Sequence, residues 1–292
     1  MTFDPAYIIL TTASLASIYG LLAIGISIIW SSLGMINMAH GFTFAFAGYG
    51  AWIAAHTLSS SAPAVLLAGI AAGALAGLAI AGVAFIPLYD KPNFPLRSLI
   101  ATLGISLLGA QALLYVFGPR VKALPRIFGY GSIHLFGLAI TADKLGTIVC
   151  APLVLLAVLV WARTSRRGLQ IRAMMQNPEG AALVGVGLRS TALAVMALTG
   201  GLAGLAAVLL SQTYYVSPYS GLTPLLKGMI VALAGGLGSI PGALIAAVCI
   251  GFVETLTAVT LGGKFVLITQ FLFIIVVLLI RPRGIAGMLE QS

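Results

Sequence analysis

From Tyr7 to Trp30 the chain carries no charged side chain, and apolar runs of this kind follow one another as far as Ile280. An α-helix rises ~1.5 Å per residue, so about 20 apolar residues cross the ~30 Å hydrocarbon core of a bilayer. Tyr7–Trp30, Met35–Leu58, Ala64–Leu88 and Ser98–Phe117 meet that length. Ser190–Leu210 also meets it, and Gly146–Ala162, Ala243–Thr260 and Phe265–Ile280 come close. Leu225–Ala234 is mostly apolar but too short to cross alone. The expected fold is all-α, a polytopic membrane protein of about 8–9 transmembrane segments including broken helices. Only 7% of the 292 residues are charged, against about a quarter in a soluble domain. No soluble domain can be cut from such a chain, and 1–292 reads as a single membrane domain.

The charges that do occur narrow the function. The net charge of +9 comes from basic residues placed mostly at the ends of apolar runs, where they meet lipid headgroups, so it does not indicate a nucleic-acid partner. The first run has no basic segment before it and is long for a signal peptide, so it reads as a retained span. Cys150 and Cys249 lie in apolar runs and read as small fillers rather than a disulfide. His40, His56 and His134 are too scattered to ligate a metal. No G-x4-G-K-[ST] phosphate loop and no HExxH occur. Ser239 stands among glycines with no base beside it, which speaks against an intramembrane serine peptidase. The chain reads as no enzyme and as holding no cofactor.

The longest polar interruption is Arg163–Arg189. Within it Asn177 is a good N-cap, and Pro178 suits the first helical position. Glu179 favours the helix dipole, Ala181, Ala182 and Leu183 favour helix, and Gly185 with Gly187 ends the run. Pro178–Val184 is therefore expected to be a helix of about two turns, too short to persist without a surface to lie on. Two further stretches interrupt the apolar runs. Gly34–Gly41 (GMINMAHG) brings Asn37, His40 and Gly41 to the start of a membrane run. Gly235–Gly242 (GGLGSIPG) brings Gly235, Gly236, Gly238, Ser239 and Pro241 into another. Broken backbone must face protein or a water-filled path, and breaks in both halves of a chain point to a transport pathway. A pair of tight turns between packed helices is the competing reading. Ser211–Pro224 suits a membrane interface, and Gly118–Leu145 suits a small hairpin or a surface-lying segment. Glu254 falls within a predicted span, where an ionised carboxylate has to find a partner in the interior. Gln111 and Gln270 are expected to hydrogen-bond between helices. Glycines spaced along GIAAGALAGLAIAG predict a close helix–helix contact.

NPEGAALVG resembles the coupling-loop motif of ABC importer permeases, EAA and, after three residues, Gly; here these are Glu179, Gly180, Ala181 and Gly185, with Gly180 where Ala is usual. GMINMAHG resembles the G-x-IN-x-AHG signature of branched-chain amino acid permeases, and ALAGGLGSIPGA their LGGLGSIPGA signature, with Ala234 in place of Leu. With LIATLGISLL at Leu99–Leu108, the likeness to the LivH-type subunit of that family covers nearly the whole chain. The resemblance implies a multi-pass subunit of the bacterial inner membrane that passes branched-chain or other hydrophobic amino acids inward. ATP would be bound and hydrolysed by two ATPase subunits, which receive the coupling loop 163–189 through Asn177, Pro178, Glu179, Ala181, Ala182 and Gly185. It also implies a second, homologous permease and a periplasmic or surface-tethered binding protein. Asn37, His40, Gly41, the GGLGSIPG residues and Glu254 would lie along the pathway. Urea and short-amide permeases share much of the pattern, and a self-sufficient secondary transporter is the rival from another class. Placing Arg163–Arg189 inside also puts Lys91, Arg97, Arg281 and Arg283 inside, and leaves the N-terminus, with Asp4, outside.

Overall fold

The computed structural model describes residues 5–135 and 138–286, which form a helical bundle with one small hairpin. The elements are α1 (Pro5–Leu33), α2 (His40–Thr57), α3 (Ala62–Ile80), a π-helical turn (Ala81–Phe85) leading into α4 (Ile86–Leu88), and α5 (Phe94–Phe117). Then come β1 (Ser132–Leu135), β2 (Leu138–Thr141), α6 (Ala142–Thr164), α7 (Arg166–Gln176), α8 (Pro178–Leu183) and α9 (Leu188–Leu210). The chain closes with α10 (Leu222–Gly235), α11 (Ile240–Thr260) and α12 (Val266–Ile280). Seven helical stretches among the described residues are long and apolar enough to cross a membrane: Pro5–Leu33, Ala62–Leu88, Phe94–Phe117, Ala142–Thr164, Leu188–Leu210, Ile240–Thr260 and Gly263–Ile280. The protein is thus an all-α, multi-pass membrane protein. β1 and β2 pair antiparallel, with Ser132 opposite Thr141, so Gly118–Leu145 contains the hairpin and ends in the first turn of α6. Asp4 lies outside the described residues.

α1 and α9 are the buried posts of the bundle, whereas α5, α6 and α12 are exposed along most of their length. Apolar residues all round those outer helices suit lipid on one side and protein on the other. The tightest seam joins α3 to α9. A Cβ on Gly73 would strike the Gly200 carbonyl, one on Gly77 the Met196 carbonyl, and one on Gly204 the Gly69 carbonyl. Glycine at these positions lets two helix backbones touch, as the spacing in the sequence predicts.

The structure departs from the expected spans in two places. Met35–Leu58 is not one helix. Gly34 turns the chain at φ +63°, and α2 starts only at His40. In between, Asn37 Oδ1 accepts the Ala39 N–H at 3.0 Å and Thr102 Oγ1 of α5 accepts the Met38 N–H at 3.1 Å. Side chains thereby satisfy backbone groups that a helix would have paired internally. The His40 ring packs where a side chain on Gly25 would go, about two turns before α1 ends. The second departure is Ser211–Pro224. It folds back along α2. Val216 exchanges backbone hydrogen bonds with Lys122 at 2.8 Å and sits against Gly48, and Gly221 meets Gly41 backbone to backbone. α10 then starts at Leu222, with Gly228 packed on Leu22 and Ile26 of α1. α2 and α10 are therefore short helices whose N-terminal ends converge at Gly41 and Gly221, near the middle of α1.

GGLGSIPG, by contrast, is a turn joining the ends of α10 and α11 rather than a break within a span. Gly236 and Gly238 adopt φ +96° and +89°, conformations open to glycine. Gly235 and Gly242 touch backbone to backbone, and the chain after α12 covers the turn through Ile285 N–H to Ala234 O at 2.8 Å. Because α10 reaches back to Leu222, its 14 residues already arrive at this end of the bundle. Gly238 sits beside Ser31, close to the C-terminal end of α1. Ser31, Gly236–Ser239 and Arg281–Ala286 thus share one face, and α7 packs against α1 there.

Candidate functional site

Two constructions stand out, one at the polar elbow and one against Tyr19 at the middle of α1. The first is the polar elbow of α7 and α8. Ser165 caps α7, its Oγ accepting the Gly168 N–H at 2.9 Å, and Ile171 and Met174 bury that helix on the bundle. This helix lies inside Arg163–Arg189, where the sequence indicated only the shorter one. Asn177 caps α8 as expected, with Oδ1 accepting the Gly180 N–H at 2.8 Å and Pro178 following. At the other end Val186 N–H donates to Ala181 O and Gly185 N–H to Ala182 O, both at 3.0 Å, with Gly185 at φ +84°. These are the two bonds of a Schellman stop. Ala181 is buried against the bundle, while Glu179, Ala182 and Gly185 are exposed. Two apolar side chains stand far out beside them: Leu183 is 89% exposed and Val184 80%. Neither was among the residues singled out from the motif, which marks the caps and the small residues but not the apolar tip.

The second construction is a buried ion pair. Lys227 Nζ on α10 lies 2.7 Å from Glu254 Oε1 on α11 and donates to the Tyr19 hydroxyl of α1 at 2.9 Å. Tyr19 in turn donates to Glu254 Oε2 at 2.7 Å, and Gln270 of α12 donates to the same oxygen at 2.7 Å. Glu254 thus has the interior partners that a carboxylate in a span requires. Gln270 makes the interhelical bond expected of it, whereas Gln111 reaches the Tyr219 hydroxyl in the loop before α10. Removing one member of such a pair costs about 3–5 kcal/mol, because the other charge is left buried alone. Lys227 was the partner to look for: it and Glu254 are opposite charges inside neighbouring predicted runs.

Cavities flank this pair. One of ≈ 390 Å³ is lined by Tyr19, Phe44, Leu210, Ser211, Tyr214, Thr223, Pro224 and Lys227, among others. Another of ≈ 200 Å³ is lined by Thr11, Tyr214, Lys144 and Glu254 among others. Lys144 Nζ donates to Thr11 Oγ1 at 2.9 Å, about two turns of α1 beyond Tyr19. Both cavities therefore lie toward the end of the bundle opposite the elbow. A third space, of ≈ 40 Å³, lies between α1 and α10 nearer the elbow and is lined by Ile26, Trp30, Met35, Met229 and Leu233.

The remaining sequence candidates are structural in position. Asn37 holds the turn before α2, and Gly41 allows the contact with Gly221. His40 is 1% exposed and lines none of these cavities, and its Nε2 has no hydrogen-bond partner among the described residues. Ser239 caps α11, accepting the Gly242 N–H at 3.1 Å, with Pro241 in its first turn. Gly235, Gly236 and Gly238 shape the turn before it. Met35 and Ile36 of GMINMAHG and Leu237 of GGLGSIPG line the ≈ 40 Å³ space together.

Similarity to known proteins agrees with this geometry. Residues 8–280 match the family described as "Branched-chain amino acid transport system / permease component". The chain is 31% identical to the high-affinity branched-chain amino acid transport permease LivH of Salmonella typhimurium, covering 94% of this chain and 92% of that one. It is 30% identical to the corresponding permease BraD of Pseudomonas aeruginosa, covering 94% and 93%. Its fold is similar to that of PsaBC from Streptococcus pneumoniae, with TM-score 0.53 and 15% identity over 94% of this chain and 92% of that one.

Proposed function

The chain belongs to the branched-chain amino acid transport permease family, and from that premise we propose that it is the membrane subunit of an ABC importer for branched-chain or other hydrophobic amino acids. The observation that carries this reading is similarity along almost the whole chain, covering the elbow and the ion pair alike. α8 supports the mechanical half of it. A two-turn helix, capped at both ends, holds Leu183 and Val184 bare in water, an arrangement that favours an apolar groove on a partner. That partner is an ATPase subunit, of which two serve the complex. The chain itself binds no nucleotide and catalyses nothing. A second, homologous permease completes the channel, and a periplasmic or surface-tethered binding protein delivers the cargo. The complex resides in the bacterial inner membrane.

In this mechanism closure of the ATPase dimer displaces α8, α7 moves with it because the two helices pack together, and Ile171 and Met174 pass the movement to the bundle. α7 packs on α1, whose Tyr19 hydroxyl closes the Lys227–Glu254 pair. The test is reconstitution. Proteoliposomes holding the chain with its ATPases, partner permease and binding protein should accumulate labelled leucine only with ATP inside the ATPase compartment. Accumulation of urea without leucine would replace the cargo. Uphill uptake by the lone chain, driven by an ion gradient, would replace the importer reading with a secondary transporter.

A further inference from the structure

The hydrogen bonds of the buried ion pair are unequal. Glu254 accepts from Lys227, Tyr19 and Gln270, so both of its oxygens are occupied. An ammonium has three N–H donors. Lys227 uses two, toward Glu254 and Tyr19, and among the described residues nothing takes the third. Its side chain is 12% exposed and lines the ≈ 390 Å³ cavity. The group with spare capacity at this cavity is the cation, and what completes it is a hydrogen-bond acceptor, of which a carboxylate oxygen is the strongest.

The surroundings add to that preference. The first turn of α10 lines the cavity through Thr223 and Pro224, and α2 adds Phe44 from its second turn. Helix N-terminal ends carry partial positive charge, and within a membrane bundle they stabilise carboxylates. Phe44, Leu210 and Pro224 supply an apolar wall, and Ser211 and Tyr214 supply hydroxyls. We propose that this cavity is a binding site for the carboxylate of an α-amino acid in transit, with Lys227 and the N-terminal end of α10 holding the carboxylate and the apolar wall holding the side chain. The site rests on the amino-acid importer reading and specifies how the permease itself recognises its cargo. Because Glu254 already balances Lys227, a zwitterion enters and leaves without stranding a net charge.

The test is protection of a cysteine in the assembled importer without binding protein. Thr223→Cys, exposed at the cavity, is introduced into a chain in which Cys150 and Cys249 are replaced by Ala, and its labelling by an impermeant maleimide from the outer side is timed. Leucine, and 4-methylpentanoate, which keeps its carboxylate and side chain and lacks the amine, should each slow labelling about threefold at twice their Kd. Leucinamide, which lacks the carboxylate, should not. The double variant Lys227→Met/Glu254→Gln removes both charges together, so neither is left buried alone, and in a monodisperse complex it should show no protection. Protection by leucinamide equal to that by leucine, protection persisting in the double variant, or no protection by either carboxylate would each overturn the site. Leucine uptake by the complex with Thr223 intact and binding protein present is scored separately. Uptake without protection removes the site and leaves the importer; protection without uptake of any amino acid removes the importer and leaves a carboxylate site.

Discussion

Gly73→Ala and Gly104→Ala add the same methyl group to two membrane helices and should move stability in opposite directions. Intrinsic propensity favours alanine over glycine by about 1 kcal/mol in both. At Gly104, on α5, a Cβ meets nothing within 4 Å, so that preference is the whole effect. At Gly73 the Cβ collides with the Gly200 carbonyl and comes within 3.0 Å of Gly204 Cα. Those atoms belong to a helix backbone, which cannot rotate aside as a side chain does. Relief requires α3 and α9 to part, which also opens the contacts of Gly69 with Val208 and of Gly77 with Met196. Overpacking costs about 1–3 kcal/mol, and a backbone collision belongs at or above the upper end. Set against the ~1 kcal/mol of propensity, Gly73→Ala should destabilise by about 2 kcal/mol, while Gly104→Ala stabilises by up to ~1 kcal/mol. The expected gap of ~3 kcal/mol corresponds to roughly 6–12 °C in midpoint, taking the scale of globular domains of comparable size. Thermal unfolding of both variants in the assembled complex, in one detergent, reads it directly. If Gly73→Ala melts no lower than Gly104→Ala, the α3–α9 seam is not held by backbone contact and the reasoning fails.

Three further outcomes are expected. Cysteine at Leu183 should react with an impermeant thiol reagent only from the cytoplasm and cysteine at Ser60 only from outside, so labelling of the former in intact cells would invert the topology. Leu183→Asp with Val184→Asp should lower uptake at least tenfold, equivalent to ~1.4 kcal/mol of lost docking, while leaving the melting midpoint in place because both side chains are exposed; a fall in midpoint of the isolated membrane subunit would show instead that they pack on the bundle. Asn177→Ala removes the acceptor for the Gly180 N–H and should destabilise α8 by ~1 kcal/mol, read as about fivefold faster amide exchange at Gly180, with unchanged exchange counting against the cap.

Much of this molecule was legible in the residues because lipid imposes few rules. Length and the absence of charge located the seven long helices, and glycine spacing marked α3 for a close helix contact without naming α9 as its partner. The cap signals of α8 were local, with Asn177, Pro178 and Gly185 in their usual order, so both ends of that helix could be placed by chain position alone. What escaped depended on contacts distant in sequence. α7 has an amphipathic pattern, but its arginines make it read as loop, and its anchorage needs α1 nearby. The start of α2 could not be placed from Met35–Leu58, because the groups that hold Gly34–Ala39 out of a helix include Thr102 on another element. The same limit hid the course of Ser211–Pro224: polar aromatic residues suit an interface and a lined vestibule equally, and only Val216 on Gly48 and Gly221 on Gly41 decide between them. The GGLGSIPG turn misled in the other direction, since glycines that permit a close approach between helix ends look like glycines that break a span. The ion pair was half visible. Glu254 called for a partner, and Lys227 lay 27 residues earlier in the sequence. Pairing them requires α10 and α11 to run antiparallel from a tight turn, and that turn is the GGLGSIPG stretch itself. Once it is placed at the helix ends, the two charges fall at similar depth and Tyr19 closes the triangle.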